Sequence, residues 1–252
     1  MNSILLHIPH SSDFIPKKYK SIFLDSVDLK SEIRKMTDWY TDDLFFGALD
    51  RIICPVSRLV CDVERFRDRT LEEMANKGMW ICYERTSMGL PLATFSLEHE
   101  RDILMHYYDE HHMLLNEKVE ELLKQHEYVI LVDCHSFSSI PLSHEDDKAM
   151  PRPDICIGTD SFHTPRALTC FTKHYFNDNG LSVKENSPFN GTIVPTKYYH
   201  INPHVISIMI EINRGVYMDE DTINKSKNYE KIKGIIYEYI RNLENTPMYK
   251  FL

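Results

Sequence analysis

The chain has six cysteines and no C-x-x-C pair among them. Dispersed at 54, 61, 82, 134, 156 and 170 in 252 residues, they predict reduced thiols in a cytoplasmic protein, not a disulfide framework. No stretch reaches the roughly 18 apolar residues of a membrane span. The start, Met1-Asn-Ser-Ile-Leu-Leu-His-Ile-Pro9, has no basic n-region, and its short apolar run meets His and Pro at once, so no signal peptide is expected. Positive charge is in deficit: 29 Lys and Arg against 38 Asp and Glu give a formal charge of -9. That argues against a nucleic-acid groove, which needs clustered positive charge. A small anionic substrate stays open, because a few Arg or Lys residues set the field of a pocket. Familiar catalytic signatures are missing too. Without G-x-G-x-x-G or a P-loop, nucleotide binding has no support. Without a G-x-S-x-G elbow, Ser136 beside His135 does not read as a nucleophile. The segment His99-Glu-Arg-Asp-Ile103 lacks the second His of H-E-x-x-H.

What is present is a set of apolar runs, 42% of residues being apolar. Residues 3–8, 128–133 and 205–212 read as interior strands, and 154–158 and 181–185 as shorter ones. Ile52 to Val63 is strand-like but broken by Pro55. Helix periodicity covers 30–49, Leu97 to Gln125, Pro165 to Asn179 and Asp221 to Leu243. Ser96 is placed to cap the second of these, with His99 where a capping-box Glu is preferred. A long helix running into a core strand is a crossover unit and implies parallel neighbours. Segments 138–153 and 186–203 are loops, the first placed at the mouth of a site. With no internal repeat and no long linker, the chain predicts one domain, 1–252. Its class is α/β: a three-layer α/β/α sandwich with a mixed, mostly parallel sheet.

Three apolar runs end in polar clusters: His10-Ser-Ser-Asp13, Asp133-Cys-His135-Ser136 and Glu211-Ile-Asn213-Arg214. Enzymes set metal ligands and acid/base groups at the carboxyl ends of buried strands, and two His with nearby Asp and Glu suggest one zinc hydrolase centre. His10 and Asp13 lie on one turn, where an imidazole and a carboxylate reach one ion; the plainer reading is a surface turn. Asp133 and His135 share a strand face, so Asp133 can hold the far N–H of a ligand imidazole, or the two simply form a buried pair. Glu211 follows a very apolar run, where a carboxylate is costly unless it is paired or coordinated; it serves as general base, or bonds Arg214. Arg58 and Arg65 suit a substrate carboxylate. Asp38 and Asp42, one turn apart, could pair with the arginines, but the plainer reading is a helix surface. His111 and His112 point apart and read as solvent-facing or capping. His7 reads as core or as support to a ligand.

Taken together and in order, Ile8-Pro-His-Ser-Ser12, Thr37-Asp-Trp-Tyr-Thr-Asp42, Ser57-Arg-Leu-Val-Cys-Asp-Val-Glu-Arg-Phe66, Asp133-Cys-His-Ser-Phe137, Pro153-Asp-Ile-Cys-Ile-Gly158, Asn186-Ser-Pro-Phe-Asn-Gly191 and Glu211-Ile-Asn-Arg214 resemble the N-formylglutamate amidohydrolase family. That family is similar to the zinc carboxypeptidases and aspartoacylase. The resemblance implies a zinc-carboxypeptidase-like fold and a Zn2+ ion held by His10, Asp13 and His135. Glu211 would activate water, and Arg58 would polarise the scissile carbonyl. Arg65, with Asn213, Lys197 and Tyr198, would orient the carboxylate of a small N-acyl amino acid. One position departs: Glu64 stands where many relatives carry Asn, and an ionised Glu repels a carboxylate that an Asn would bind. The expected reaction is hydrolysis of a linear C–N amide. A metallo-carboxypeptidase or an amidase acting on peptides or cell-wall fragments would use the same centre. A small-ligand binding protein without chemistry is the reading from a different class.

Overall fold

A computed structural model describes residues 3–48 and 50–252. Its centre is a six-stranded sheet in the order β2-β1-β3-β6-β4-β5. The strands are β1 (Ser3–Ile8), β2 (Asp50–Ile53), β3 (Val129–Phe137), β4 (Ile155–Gly158), β5 (Val183–Glu185) and β6 (Val205–Asn213). β1 pairs parallel with β2 and β3, and β3 pairs parallel with β6. Only the β4–β6 pair is antiparallel. β1, β3 and β6 are buried along their whole length, which is why their sequences run apolar without alternation.

The helices are α1 (Leu29–Met36), α2 (Thr41–Leu44), α3 (Leu97–Ile103), α4 (Glu110–Gln125), α5 (Arg166–Asp178) and α6 (Tyr229–Asn245). α5 and α6 cover one sheet face, packing Phe176, Ile236 and Tyr239 with Ile130, Val132, Ile208 and Ile210. α4 covers the other, setting Leu115, Val119 and Leu122 against Leu5, Leu131 and Val205. This is the expected three-layer sandwich. A third apolar cluster lies beside it, built from Leu59, Val60, Val63, Trp80, Ile81 and Tyr83 with Met36 and Ile103. Segment 54–96 supplies most of it and holds little regular structure.

Four boundaries differ from expectation, each for a local reason. The 30–49 pattern breaks at Thr37, and Tyr40 takes a left-handed φ of 67°; its last residue lies outside the described ones. The 52–63 run leaves the sheet after Ile53, because Pro55 cannot donate to a ladder. The 97–125 helix is continuous but π-helical over Leu104–Asp109, with the Ser96/His99 capping box formed. The last helix begins at Tyr229, since Asp219 accepts the N–H groups of Asp221 and Thr222 in a turn and Ile223 has a φ of 60°. No helix among the described residues is long and apolar enough to cross a membrane.

Candidate metal centre

On the α4 face of the sheet the odd-numbered positions change from apolar to polar towards the carboxyl ends of the strands. Leu5 gives way to His7, Leu131 to Asp133 and His135, and Val205 and Met209, with Ser207 between them, to Glu211. Register sets these groups side by side: His7 lies opposite Asp133, and His135 opposite Glu211. β3 and β6 pair through Phe137 and Asn213, so the polar residues are strand residues fixed by the ladder, not a loop beyond it. His10 follows β1 at the same edge.

Asp38 completes the centre. His135 Nδ1 is 3.1 Å from Asp38 Oδ2, and His10 Nδ1 is 3.7 Å from the same oxygen. The rings of His10 and His135 lie 5.2 Å apart. All three side chains are buried, and their donor atoms converge within 4.8 Å. Asp38 is held from several sides. Its N–H donates to His10 O at 3.0 Å. Arg214 donates to Lys35 O and Thr37 O at 2.9 and 2.8 Å, and Tyr217 donates to Trp39 O at 2.8 Å. The helix break at Thr37 therefore turns Asp38 inward, whereas its spacing from Asp42 suggested a helix surface.

Each imidazole has a carboxylate behind it. His10 Nε2 is 2.9 Å from Asp62 Oδ1, and His135 Nε2 is 3.1 Å from both Asp133 Oδ1 and Glu64 Oε1. With each Nε2–H so occupied, both Nδ1 atoms face the Asp38 side and are the nitrogens an ion there would take. Burial favours neutral carboxyls here, yet the Arg65 and Arg58 guanidiniums and His10 hold Asp62 well below the usual range. Burial likewise opposes charge on Asp38, and the nearby imidazoles of His10 and His135 keep its pKa low. His135 is held well above the usual imidazole range: burial opposes its charge, and Glu64, Asp133 and Asp38 outweigh burial. So negative a pocket suits a cation. The fit to a divalent metal rests on His10 Nδ1, a buried nitrogen with no hydrogen bond among the described residues. An N, N, O donor set is one that zinc accepts.

A cavity of about 560 Å³ opens over the centre and is lined by His10, Asp38, His135, Glu211, Arg58 and Arg65 among others. Glu211 is buried, its Oε2 has no hydrogen-bond partner among the described residues, and burial pushes its pKa up to about 8. Arg58 donates to Asp62 at 2.9 Å; Arg65 donates to Tyr83 Oη at 3.0 Å and lies 3.2 Å from Asp62. Segment 138–147 forms part of the cavity mouth, tied down by Lys77 to His144 O at 2.9 Å and by Arg152 to Ser138 O at 2.9 Å.

The expected residues thus divide. His10, His135, Asp133, Glu211, Arg58 and Arg65 gather at one place. Asp13 does not join them: it is exposed. The chain after His10 makes no helical turn, so the spacing carries Asp13 outward instead of back over the imidazole. Asn213 is buried beneath the site, its amide occupied by Pro153 O at 3.1 Å and Gly215 N at 3.0 Å. Lys197 pairs with Glu120 on the surface at 2.6 Å, and Tyr198 packs in the α4-side core. His111 and His112 face inward: His111 Nε2 is 2.8 Å from His7 Nε2, and His112 Nε2 is 2.8 Å from Val63 O. Asp38 and Asp62 were missed as site residues. No local signal marks them: 37–42 continues a helix-like pattern, and 57–66 is dense with charge.

Fold and site together define a hydrolase-type α/β/α domain with His/Asp clusters suited to a divalent metal. The chain belongs to the N-formylglutamate amidohydrolase family, whose model matches residues 2–218. Among solved structures it is similar to the N-formylglutamate amidohydrolase from Ralstonia eutropha JMP134, with a TM-score of 0.81 and 18% identity over 96% of each chain. It is also similar to a gene product of Agrobacterium tumefaciens, with a TM-score of 0.65 and 18% identity over 97% of this chain and 92% of that one. At that identity the likeness is one of fold. No curated protein matches the sequence significantly.

Proposed function

We propose that this protein is a cytoplasmic, zinc-dependent amidohydrolase that cleaves a linear C–N amide in a small N-acyl amino acid of the N-formylglutamate type. The observation that carries this reading is the bare, buried Nδ1 of His10, facing Asp38 and His135 at the floor of the cavity that Glu211 also lines. The free cysteines accord with a reducing compartment. The cavity volume is in the range of small-molecule sites.

His10, Asp38 and His135 would hold the ion, a set that exchanges Asp38 for Asp13 in the ligand group expected from the sequence. When bound, such an ion supplies Lewis acidity, lowering the pKa of water and polarising a carbonyl. Glu211 takes a proton from the attacking water and delivers it to the departing nitrogen. In the metal-free chain burial pushes this carboxyl up to about 8, so it holds a proton readily. Arg58, at the cavity wall, stabilises charge growing on the carbonyl oxygen. Arg65 receives the substrate carboxylate. Both guanidiniums already share Asp62, so they offer the substrate their remaining N–H groups, the Nε of each among them. Glu64 engages His135, which ties up part of the negative charge that would otherwise oppose an anionic substrate. Asp133 fixes the His135 ring.

The test is metal analysis of purified protein, followed by turnover of N-formyl and N-acetyl amino acids and of dipeptides with zinc restored. Glu211→Gln is expected to retain zinc and to lose about 10²–10⁴-fold in turnover. Undiminished turnover after complete removal of metal would end this reading. Faster cleavage of dipeptides than of acyl amino acids would replace it with the carboxypeptidase alternative.

A further inference from the structure

Two buried imidazoles take no part in the chemistry above. His7, on β1, is fully buried, with Nδ1 2.8 Å from Asp133 Oδ1. Its Nε2 is 2.8 Å from Nε2 of His111 on α4, the rings meeting edge to face at 66°. Asp133 Oδ1 also receives His135 Nε2 at 3.1 Å, and Asp133 Oδ2 accepts the Ile193 N–H at 2.9 Å. A hydrogen-bonded row therefore runs from α4 through the sheet to the metal centre: His111, His7, Asp133, His135.

The hydrogens in this row are constrained. An ionised carboxylate only accepts, so His7 Nδ1 and His135 Nε2 both carry hydrogens. With that hydrogen on Nδ1, His7 turns Nε2 towards α4 in a fully buried place, where a missing partner costs about 1–3 kcal/mol. His111 Nε2–H satisfies it. His111 is itself neutral, since burial, with His7 and His112 beside it, holds its pKa well below the usual range.

The helix is shaped for this contact. The π-helical stretch Leu104–Asp109 directly precedes α4. Such a widened turn shifts the angular register of the residues that follow, and π-turns are frequent at functional sites. With that shift both adjacent histidines meet protein. His111 reaches the row behind His135, while His112 reaches Val63 O at 2.8 Å, beside the Asp62 that backs His10.

We propose that His111, acting through His7, is a positioning residue for the metal centre: the row holds the His135 ring with its hydrogen on Nε2, so that Nδ1, on the Asp38 side, is the nitrogen left to bind an ion. This rests on the metal-centre reading above. The test uses the full chain, with zinc ion alone as probe. Zinc affinity is measured by competition with a chromophoric chelator, beside thermal melting of the metal-free protein, for wild type, His111→Leu and His111→Gln. Leu removes the donor at similar volume; the Gln amide places an N–H near the same point. His111→Leu is expected to bind zinc about tenfold more weakly, and His111→Gln to recover most of that loss at matched melting temperature. Should His111→Leu fail to fold, His111→Asn, whose amide is too short to reach His7, gives the same contrast with Gln. Equal zinc affinity in Leu and wild type would overturn the proposal. So would equal losses in Leu and Gln, which would make His111 a packing residue. A wild-type chain that takes up no zinc would overturn the centre itself, and this inference with it, before any variant is compared.

Discussion

His10 and His135 have the same task and are held by opposite means. Behind His10 stands Asp62, a fully buried carboxylate compensated by two cations, Arg58 at 2.9 Å and Arg65 at 3.2 Å, with Tyr83 Oη at 2.5 Å. All of these come from the irregular segment 54–96. Behind His135 stands Asp133, equally buried, compensated by His135 itself and by the hydrogen bonds of His7 and the backbone N–H of Ile193. Its setting comes from the ladder of β1, β3 and β6. Where regular structure fixes positions, the ligand imidazole and its neighbours' N–H groups suffice, with no guanidinium. Where it does not, a charged network does the fixing, and the same guanidiniums are then at hand for a substrate.

The comparison breaks most sharply if the carboxylates are removed. Asp62→Ala leaves two partly buried guanidiniums without the counter-ion they share, and loss of one partner from such a network costs up to about 3–5 kcal/mol. Asp133→Ala leaves His135 its other carboxylates, Asp38 and Glu64, and strands only the His7 Nδ1 and Ile193 N–H groups, at about 1–3 kcal/mol. Urea unfolding of the two metal-free variants should therefore rank Asp62→Ala as clearly the less stable. Equal losses would show that the two arms are not built differently.

A second prediction concerns the His135 side, where Glu211 lies opposite in the β3–β6 register. Burial raises its pKa from 4.5 to about 8, with the nearby Asp38 and Glu64 adding to the rise and His135 opposing it. A carboxyl with its folded pKa above its unfolded one binds the proton more tightly in the native state. Its contribution is therefore full at low pH and is lost as pH rises from about 4.5 to about 8. In metal-free protein, Glu211→Gln should melt higher than wild type at pH 9, by about 2–4 °C for each kcal/mol gained, and the gap should close towards pH 5. A gap independent of pH would mean that Glu211 does not titrate in this window.

The same contrast explains what could be read from the sequence. The ladder-held arm was legible: β1, β3 and β6 are so apolar that His10, Asp133, His135 and Glu211 stand out at their ends. The three-layer class followed from the same runs. The network-held arm was not. Asp62 sits in a segment dense with charge, where nothing local tells a buried acid from a solvated one. Asp38 was hidden by a helix pattern that Thr37 and Tyr40 interrupt, and a left-handed Tyr leaves no mark on periodicity. His111 was hidden by the π-turn, which rotates α4 away from the face its spacing implies. Lys197 and Tyr198 illustrate the converse, since proximity in a functional-looking loop did not bring them to the cavity.

The smallest expected effect sharpens the His10 arm most. The spacing of His10 and Asp13 suits an ion only if the chain turns back on itself, and here it runs on: Ser12 Oγ donates to Pro55 O at 2.9 Å, and Ile15 and Pro16 are buried beyond it. Asp13 is left exposed between these anchors, and an exposed acid removed from the surface changes stability by less than about 0.5 kcal/mol. Asp13→Asn should therefore match wild type in both zinc affinity and melting temperature. Asp38→Asn, which replaces a donor facing both imidazoles, should lose zinc by about 100-fold or more, beyond what an outer partner costs. Chelator competition on the two variants separates the possibilities directly. If Asp13→Asn were the one to lose zinc, the turn after β1 would have to fold back over His10 when the ion binds, and the extended course of residues 11–16 would belong to the metal-free chain alone.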